Sequence, residues 1–189
     1  SYLGAPQTPT VAGQHVLDAD YFRRIDALNF TMAHDDGRLP DDLNKADIIL
    51  LGISRTSKTP TSIYLAQRGY KTANVPLVPS LPFPEQIAGQ HSAFVVCLVA
   101  SPDRIAEVRR NRALLLADRD LDDYVDRSRI AAEVAYTRKL CARHGWPVID
   151  VTRRSVEETA ATIISLMHDR ETGELAQGIE DVAAQGQGK

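Results

Sequence analysis

An α/β fold, a parallel sheet flanked by helices, is what the sequence predicts, and three features predict it. Four short runs, "ADIILL", "TANVPLV", "AFVVCLVA" and "PVIDV", read as buried strands. Stretches with helical spacing separate them, and strands alternating with helices are the pattern of a parallel sheet. The runs are apolar at consecutive positions, so both faces of each strand call for cover.

Bulk properties set the limits within which that fold works. The chain has 189 residues, 43% hydrophobic and 25% charged, the composition of one ordinary soluble domain with at most a small appendage. A formal net charge of −3 gives no basic footprint, which argues against nucleic acid and against an anionic membrane as partners. No stretch reaches the roughly 18 apolar residues of a membrane span, and the N-terminus lacks a basic segment followed by an apolar one. Cys97 and Cys141 suit a reducing compartment as small core hydrophobes rather than a disulfide framework. A cytoplasmic protein is therefore expected. The chain starts at Ser1 rather than methionine, as a cut or processed start would.

Residues 1–17, rich in Pro, Gly and polar side chains, read as a loop or severed linker, and the α/β domain is expected over 18–170. Its first helix places Tyr21, Ile25, Leu28 and Met32 at helical spacing and ends near "HDDG". The first strong strand follows at Asp47 to Leu51, then a helix from about Lys58 to Arg68 closed by Gly69. "SPDRIAEVRRNRALLL" opens a helix with serine before proline, whose missing N–H is harmless in a first turn. A longer helix carries Ile130, Val134, Thr137 and Cys141 on one face, and Gly145 and Pro147 break it before "PVIDV". Ser155 and Glu158 have the spacing of a capping box, with Val156, Ala160, Ile163, Ile164 and Met167 as the buried stripe of the last helix. Residues 171–189 are polar and rich in Gly and Gln, the composition of a tail.

The chemistry is concentrated in "GISRTSKTPTS", directly after the first strand. Ligands of parallel sheets bind beyond the carboxyl ends of the strands, which is where this loop falls. Against the phosphate-binding pattern G-x-x-x-x-G-K-[ST], residues 52–59 match the first glycine, the lysine and the hydroxyl, while Ser57 replaces the second glycine. In that role Gly52 opens the loop, the backbone from Ile53 through Ser54, Arg55, Thr56 and Ser57 to Lys58 surrounds phosphoryl oxygens, Lys58 neutralises the terminal phosphates, and Thr59 offers a hydroxyl to magnesium. A non-glycine residue at 57 restricts the positive φ values open to the loop. An ordinary strand-to-helix turn is the competing interpretation.

The same loop with its flanks, "ADIILLGISRTSKTPTSIYLAQRGYKTANVPLVP", together with "YFRRIDALNFTMAHDDG" and "GWPVIDVTRRSVEETA", closely resembles the bacterial regulatory proteins of pyruvate, phosphate dikinase and phosphoenolpyruvate synthase. "SRTSKTP" and "NVPLVP" look more like the dikinase branch. The resemblance runs from about Gly13 to Met167 and implies a P-loop kinase-like domain. It implies a bifunctional enzyme that phosphorylates a threonine of the dikinase with ADP as donor, and that removes the phosphoryl group with inorganic phosphate, releasing pyrophosphate. ADP, Mg2+ and phosphate would then be its small ligands and the dikinase its protein partner, with a homodimeric active unit left open. Family chains also carry an N-terminal region, which is expected to be absent here.

Phosphoryl transfer needs a proton acceptor and cations around the equatorial oxygens. Asp35 and Asp36 of "HDDG" are the candidate bases, and His34 beside them is either a proton shuttle or, the favoured interpretation, a surface histidine. Asp150, at the end of the last strand, is the candidate magnesium carboxylate alongside Thr59, against a plain turn or cap aspartate. Arg55 could grip the attacking phosphate. Arg109, Arg112 and Arg129 are either a lid over the phosphates or, the favoured interpretation, a solvated basic face paired with acids such as Glu107 and Asp118. Trp146 is expected to anchor packing rather than stack on a nucleotide. Two other functions stay open: an ATP-dependent small-metabolite P-loop kinase, and a nucleotide-sensing module without catalysis.

Overall fold

The computed structural model of the chain describes residues 11–35, 42–89, 92–116 and 125–173. Four strands, β1 (Ile48–Gly52), β2 (Thr72–Pro76), β3 (Phe94–Val99) and β4 (Val148–Asp150), form one sheet in the order β2-β1-β3-β4. All three pairings are parallel, with Leu50 opposite Asn74 on one side and Val96 on the other. The helices are α1 (Val11–Ala33), α2 (Lys58–Gln67), a single turn α3 (Glu85–Ala88), α4 (Pro102–Leu116), α5 (Arg127–His144) and α6 (Val156–Thr172). A 3-10 turn over Leu43–Lys45 leads into β1.

Every residue of β1 and β3 is buried, and successive strand side chains point to opposite faces, so both faces of the sheet are covered. α2 packs on α1 and α6, while α4 packs on α5. The core runs from Ile48, Ile49, Leu50 and Leu51 through Val96 and Leu98 to Ile130 and Ile163. α5 starts on an Asp126 cap whose carboxylate accepts from the N–H groups of Ser128 and Arg129, and α6 starts on the expected Ser155–Glu158 capping box. Both helices stop on glycines in the left-handed region, Gly145 at φ 65° and Gly173 at φ 78°.

Several sequence expectations are corrected. α1 begins at Val11, so residues 11–17 are helical rather than a loop, and α6 extends through Thr172, two residues into the expected tail. Residues 1–10 and 174–189 lie outside the described residues. α1 turns a different face inward from the one the spacing suggested. Ala27, Phe30, Thr31 and His34 are buried, whereas Tyr21, Phe22, Ile25 and Met32 are exposed. The reason is tertiary: the outer edge of β2 needs acceptors, and Thr31 and His34 provide them. The Thr72 N–H donates to Thr31 Oγ1 (3.0 Å) and the Asn74 N–H donates to the His34 carbonyl (2.9 Å).

The cysteines are also not two separate thiols. Cys97 on β3 and Cys141 on α5 are joined as a disulfide across 44 positions of sequence. A spacing of that kind carries no local signal, because the pairing depends on how α5 lies over the sheet.

Candidate active site

The crossing of the chain from β2 back past β1 to β3 opens a crevice at the carboxyl end of β1, and the loop after β1 sits in it. Gly52, at φ 152°, has no room for a side chain, since a Cβ there would run into the Leu98 carbonyl of β3. The loop then turns through two non-glycine residues in the left-handed region, Arg55 at φ 71° and Ser57 at φ 60°. Ser57 therefore adopts the backbone that glycine would take in the common pattern. Its own side chain makes no cap hydrogen bond to α2.

Three bonds close the loop on itself. Thr56 Oγ1 donates to the Ile53 carbonyl (3.0 Å), Lys58 Nζ donates to the same carbonyl (2.7 Å), and Thr61 Oγ1 donates to the Ser57 carbonyl (2.7 Å). Lys58 is 6% exposed, so its ammonium is held under the loop rather than out in water. α2 starts at Lys58, so the positive end of its dipole faces the same place. Lys58, Thr59 and the loop border a hollow of about 360 Å³, together with Asn74, Arg104, Thr152 and Arg154. A larger hollow of about 680 Å³ lies at the amino ends of β1, β2 and β3, beside Asp47 and Lys71. We place the site at the smaller one, because it lies at the carboxyl ends of the strands and holds the phosphate-type loop.

Asp35 reaches this site from the end of α1. Thr59 Oγ1 donates to Asp35 Oδ1 (3.2 Å), and Asn74 Nδ2 donates to both Asp35 Oδ1 (2.5 Å) and Thr59 Oγ1 (3.0 Å). The structure thus brings Asp35, Lys58 and Thr59 together. Asp36 lies outside the described residues. His34 is not a surface histidine: it is 2% exposed, stacked on Phe30, with Nδ1 at the Phe30 carbonyl (2.8 Å) and Nε2 at Asp42 (3.0 Å). Those contacts fix the turn that presents Asp35.

Asp150 is not brought to Thr59. β3 separates its strand from β1, and its carboxylate accepts from the Thr152 N–H and hydroxyl and faces Arg138 at 3.5 Å. Burial pushes its pKa up, but those Thr152 donors with Arg138 and Arg154 outweigh it and hold the carboxyl below the usual range. Those bonds are of the kind a turn aspartate makes. Among the described residues no three His, Cys, Asp or Glu side chains cluster as a metal cage. Magnesium needs only one or two protein oxygens beside phosphates and water, so Thr59 with Asp35 beside it suits that ion as a donor set.

The arginines sort differently from either sequence expectation. Arg109 is 3% exposed and forks onto Glu133 of α5, with Nη2–Oε2 at 2.6 Å and Nη1–Oε1 at 3.3 Å, so it ties α4 to α5. It is neither a lid nor a solvated side chain. Arg112 and Arg129 are exposed and do not border the hollow, and Asp118 lies outside the described residues. Glu107 pairs with Arg104 instead (3.0 Å). The arginines that do border the site are Arg55, Arg104 and Arg154. Sequence reasoning passed over the last two. Their signal was position: Arg104 follows β3 and Arg154 follows β4, each just past a strand's carboxyl end. Trp146 packs against the core near His144 and Phe83, away from the hollow.

Residues 1–164 match the family model described as kinase/pyrophosphorylase. Among curated proteins the chain is 63% identical over 166 residues to a protein of Chelativorans sp. named pyruvate, phosphate dikinase regulatory protein, covering 88% of this chain and 61% of that one. A protein of the same name from Rhizobium etli is 59% identical over 166 residues, covering 87% and 61% of the two chains. Another from Bradyrhizobium diazoefficiens is 58% identical over 172 residues, covering 90% and 62%. The chain spans about three-fifths of the length of these relatives.

Proposed function

The chain belongs to the kinase/pyrophosphorylase family, and on that premise we propose that it is the nucleotide-binding part of an enzyme that both phosphorylates and dephosphorylates a threonine of pyruvate, phosphate dikinase. The observation that carries this is the loop from Gly52 to Thr59, closed on a buried Lys58 with Asp35 hydrogen-bonded to Thr59 at its mouth. Phosphoryl transfer asks for this kind of site: a cradle for the phosphates, a cation under them and a carboxylate at the point of attack.

In the forward direction the β-phosphoryl group of ADP passes to the threonine oxygen, AMP leaves, and the hydroxyl proton goes to Asp35. In the reverse direction an oxygen of inorganic phosphate attacks the phosphothreonine phosphorus, pyrophosphate leaves, and the threonine oxygen regains a proton. Backbone N–H groups of the loop and the start of α2 would bind the nucleotide's phosphates, while Lys58 would leave the Ile53 carbonyl to neutralise them. Thr59 would hold magnesium, which when bound neutralises charge on the transferring phosphoryl group. Arg55, Arg104 and Arg154 border the hollow, and their guanidinium groups would receive a second phosphate.

The test follows label from the β-phosphate of ADP into purified dikinase, with mass spectrometry to locate it. Label on a threonine with the natural chain, and at least about a hundredfold less with Lys58→Met, is the expected result. Label arising from ATP instead, on a small metabolite, would move the assignment to a small-molecule kinase.

A further inference from the structure

The first residue of "NVPLVP" makes close contacts at the site. Asn74 lies on β2 opposite Leu50 and is 3% exposed. Its Nδ2 donates one hydrogen to Asp35 Oδ1 (2.5 Å) and the other to Thr59 Oγ1 (3.0 Å), while Thr59 itself donates to Asp35 Oδ1 (3.2 Å). Three side chains from α1's end, α2 and β2 therefore close a ring of hydrogen bonds. Asn74 Oδ1 is buried and has no hydrogen-bond partner among the described residues.

That orphaned oxygen is informative. A buried acceptor without a donor destabilises a fold, and an apolar side chain of the same shape would avoid it. The amide cannot turn over to relieve the oxygen, because that would set it against the Asp35 carboxylate. We propose that Asn74 is a positioning residue for phosphoryl transfer: from a strand of the central sheet it fixes the Asp35 carboxylate relative to the phosphate loop. It acts through Asp35 on the chemical step and contributes nothing to holding the nucleotide. A carboxylate at the end of a helix, free to swing, would lose the alignment that transfer needs, and the sheet is the most rigid support available.

This inference rests on the kinase assignment above, and a double-mutant cycle separates the two. Asn74→Leu, Asp35→Asn and the pair are compared in the full chain for kcat, KM for ADP, ADP affinity by calorimetry and thermal midpoint. Expected are a kcat loss on the order of 10²-fold for Asn74→Leu, an unchanged ADP affinity and KM, and a thermal midpoint no lower than that of the natural chain. Adding Asn74→Leu to Asp35→Asn should cost nothing further, which a merely structural residue would not give. Asn74→Asp, close in shape but without the donor, serves the same cycle if the leucine variant does not fold and should lose kcat likewise. Full kcat in either variant, losses that multiply in the double variant, or a drop in ADP affinity that accounts for the loss would overturn the positioning role alone. Absence of any transfer by the natural chain would overturn the kinase assignment and this role together.

Discussion

Ser57 holds a left-handed backbone at φ 60° and returns no cap bond from its exposed side chain. The conformation costs an L-residue roughly 1 kcal/mol, which glycine avoids. Ser57→Gly is therefore expected to keep full transfer and to change stability by no more than about +1 kcal/mol, with part of the gain lost to the unfolded chain's extra freedom. Denaturant unfolding checks the sign, and a clear loss of stability would mean that the hydroxyl does something unseen here. Lys58 behaves less simply than a surface lysine would. Its ammonium is buried and bonded to the Ile53 carbonyl, so Lys58→Ala should lower stability by about 1 kcal/mol as well as removing transfer.

Among the elements, α4 and α5 are joined by an exposed pair, Asp103 with Arg127 (2.9 Å), and by a buried arginine, Arg109, paired with Glu133 (2.6 Å). Arg109 is buried and its fork is matched by Glu133, so Glu133→Ala leaves a guanidinium in the core without its carboxylate and should destabilise by about 3 kcal/mol, read from urea midpoints. A change below about 0.5 kcal/mol would return the pair to the class of weak surface bridges. The cap of α5 makes a different prediction. The Asp126 carboxyl lies below the ordinary aspartate range, chiefly because the Ser128 hydroxyl donates to it, followed by the backbone N–H groups of Arg129 and Ser128. A depressed carboxylate contributes stability that is present above its unfolded pKa and is lost as pH falls through the folded one. Scanned from about pH 5 to about pH 2.5, the natural chain should lose more thermal stability than Asp126→Asn, which caps at every pH. Parallel curves for the two would remove the cap from the acid response.

At the scale of the whole molecule, the bond between Cys97 and Cys141 joins the sheet to the α4–α5 layer over 44 positions. Closing a loop of that length restricts the unfolded chain by about 4 kcal/mol in the chain-entropy picture. Equilibrium unfolding with and without reductant should differ by a substantial part of that amount, and thiol counting in denaturant should find both cysteines only after reduction. Two reactive thiols before reduction would sink the pairing. The exposed Tyr21, Phe22, Ile25 and Met32 on α1 belong to the same scale, since nothing within the described residues covers them.

Much of the fold was legible because it is written in local order. The four apolar runs, the capping box at Ser155 and the loop from Gly52 to Thr59 each announce themselves within about ten residues of sequence, where strand burial, caps and tight turns are decided. Lys58 and Thr59 could be named for the same reason. The rest needed the packed molecule. Which face of α1 turns inward was decided by the unpaired edge of β2, and the fate of Arg109 by Glu133 a whole helix away. Arg104, Arg154 and Asn74 meet the loop only because parallel strands end together at one rim. The choice of Asp35 over Asp150 as Thr59's neighbour follows from strand order, in which β3 stands between β1 and β4. Sequence alone determined most of the elements and the sharp turn of the loop from Gly52 to Thr59, since neighbouring residues set backbone preference. Tertiary structure alone decided which distant side chains complete the site, since only packing brings them within hydrogen-bonding reach.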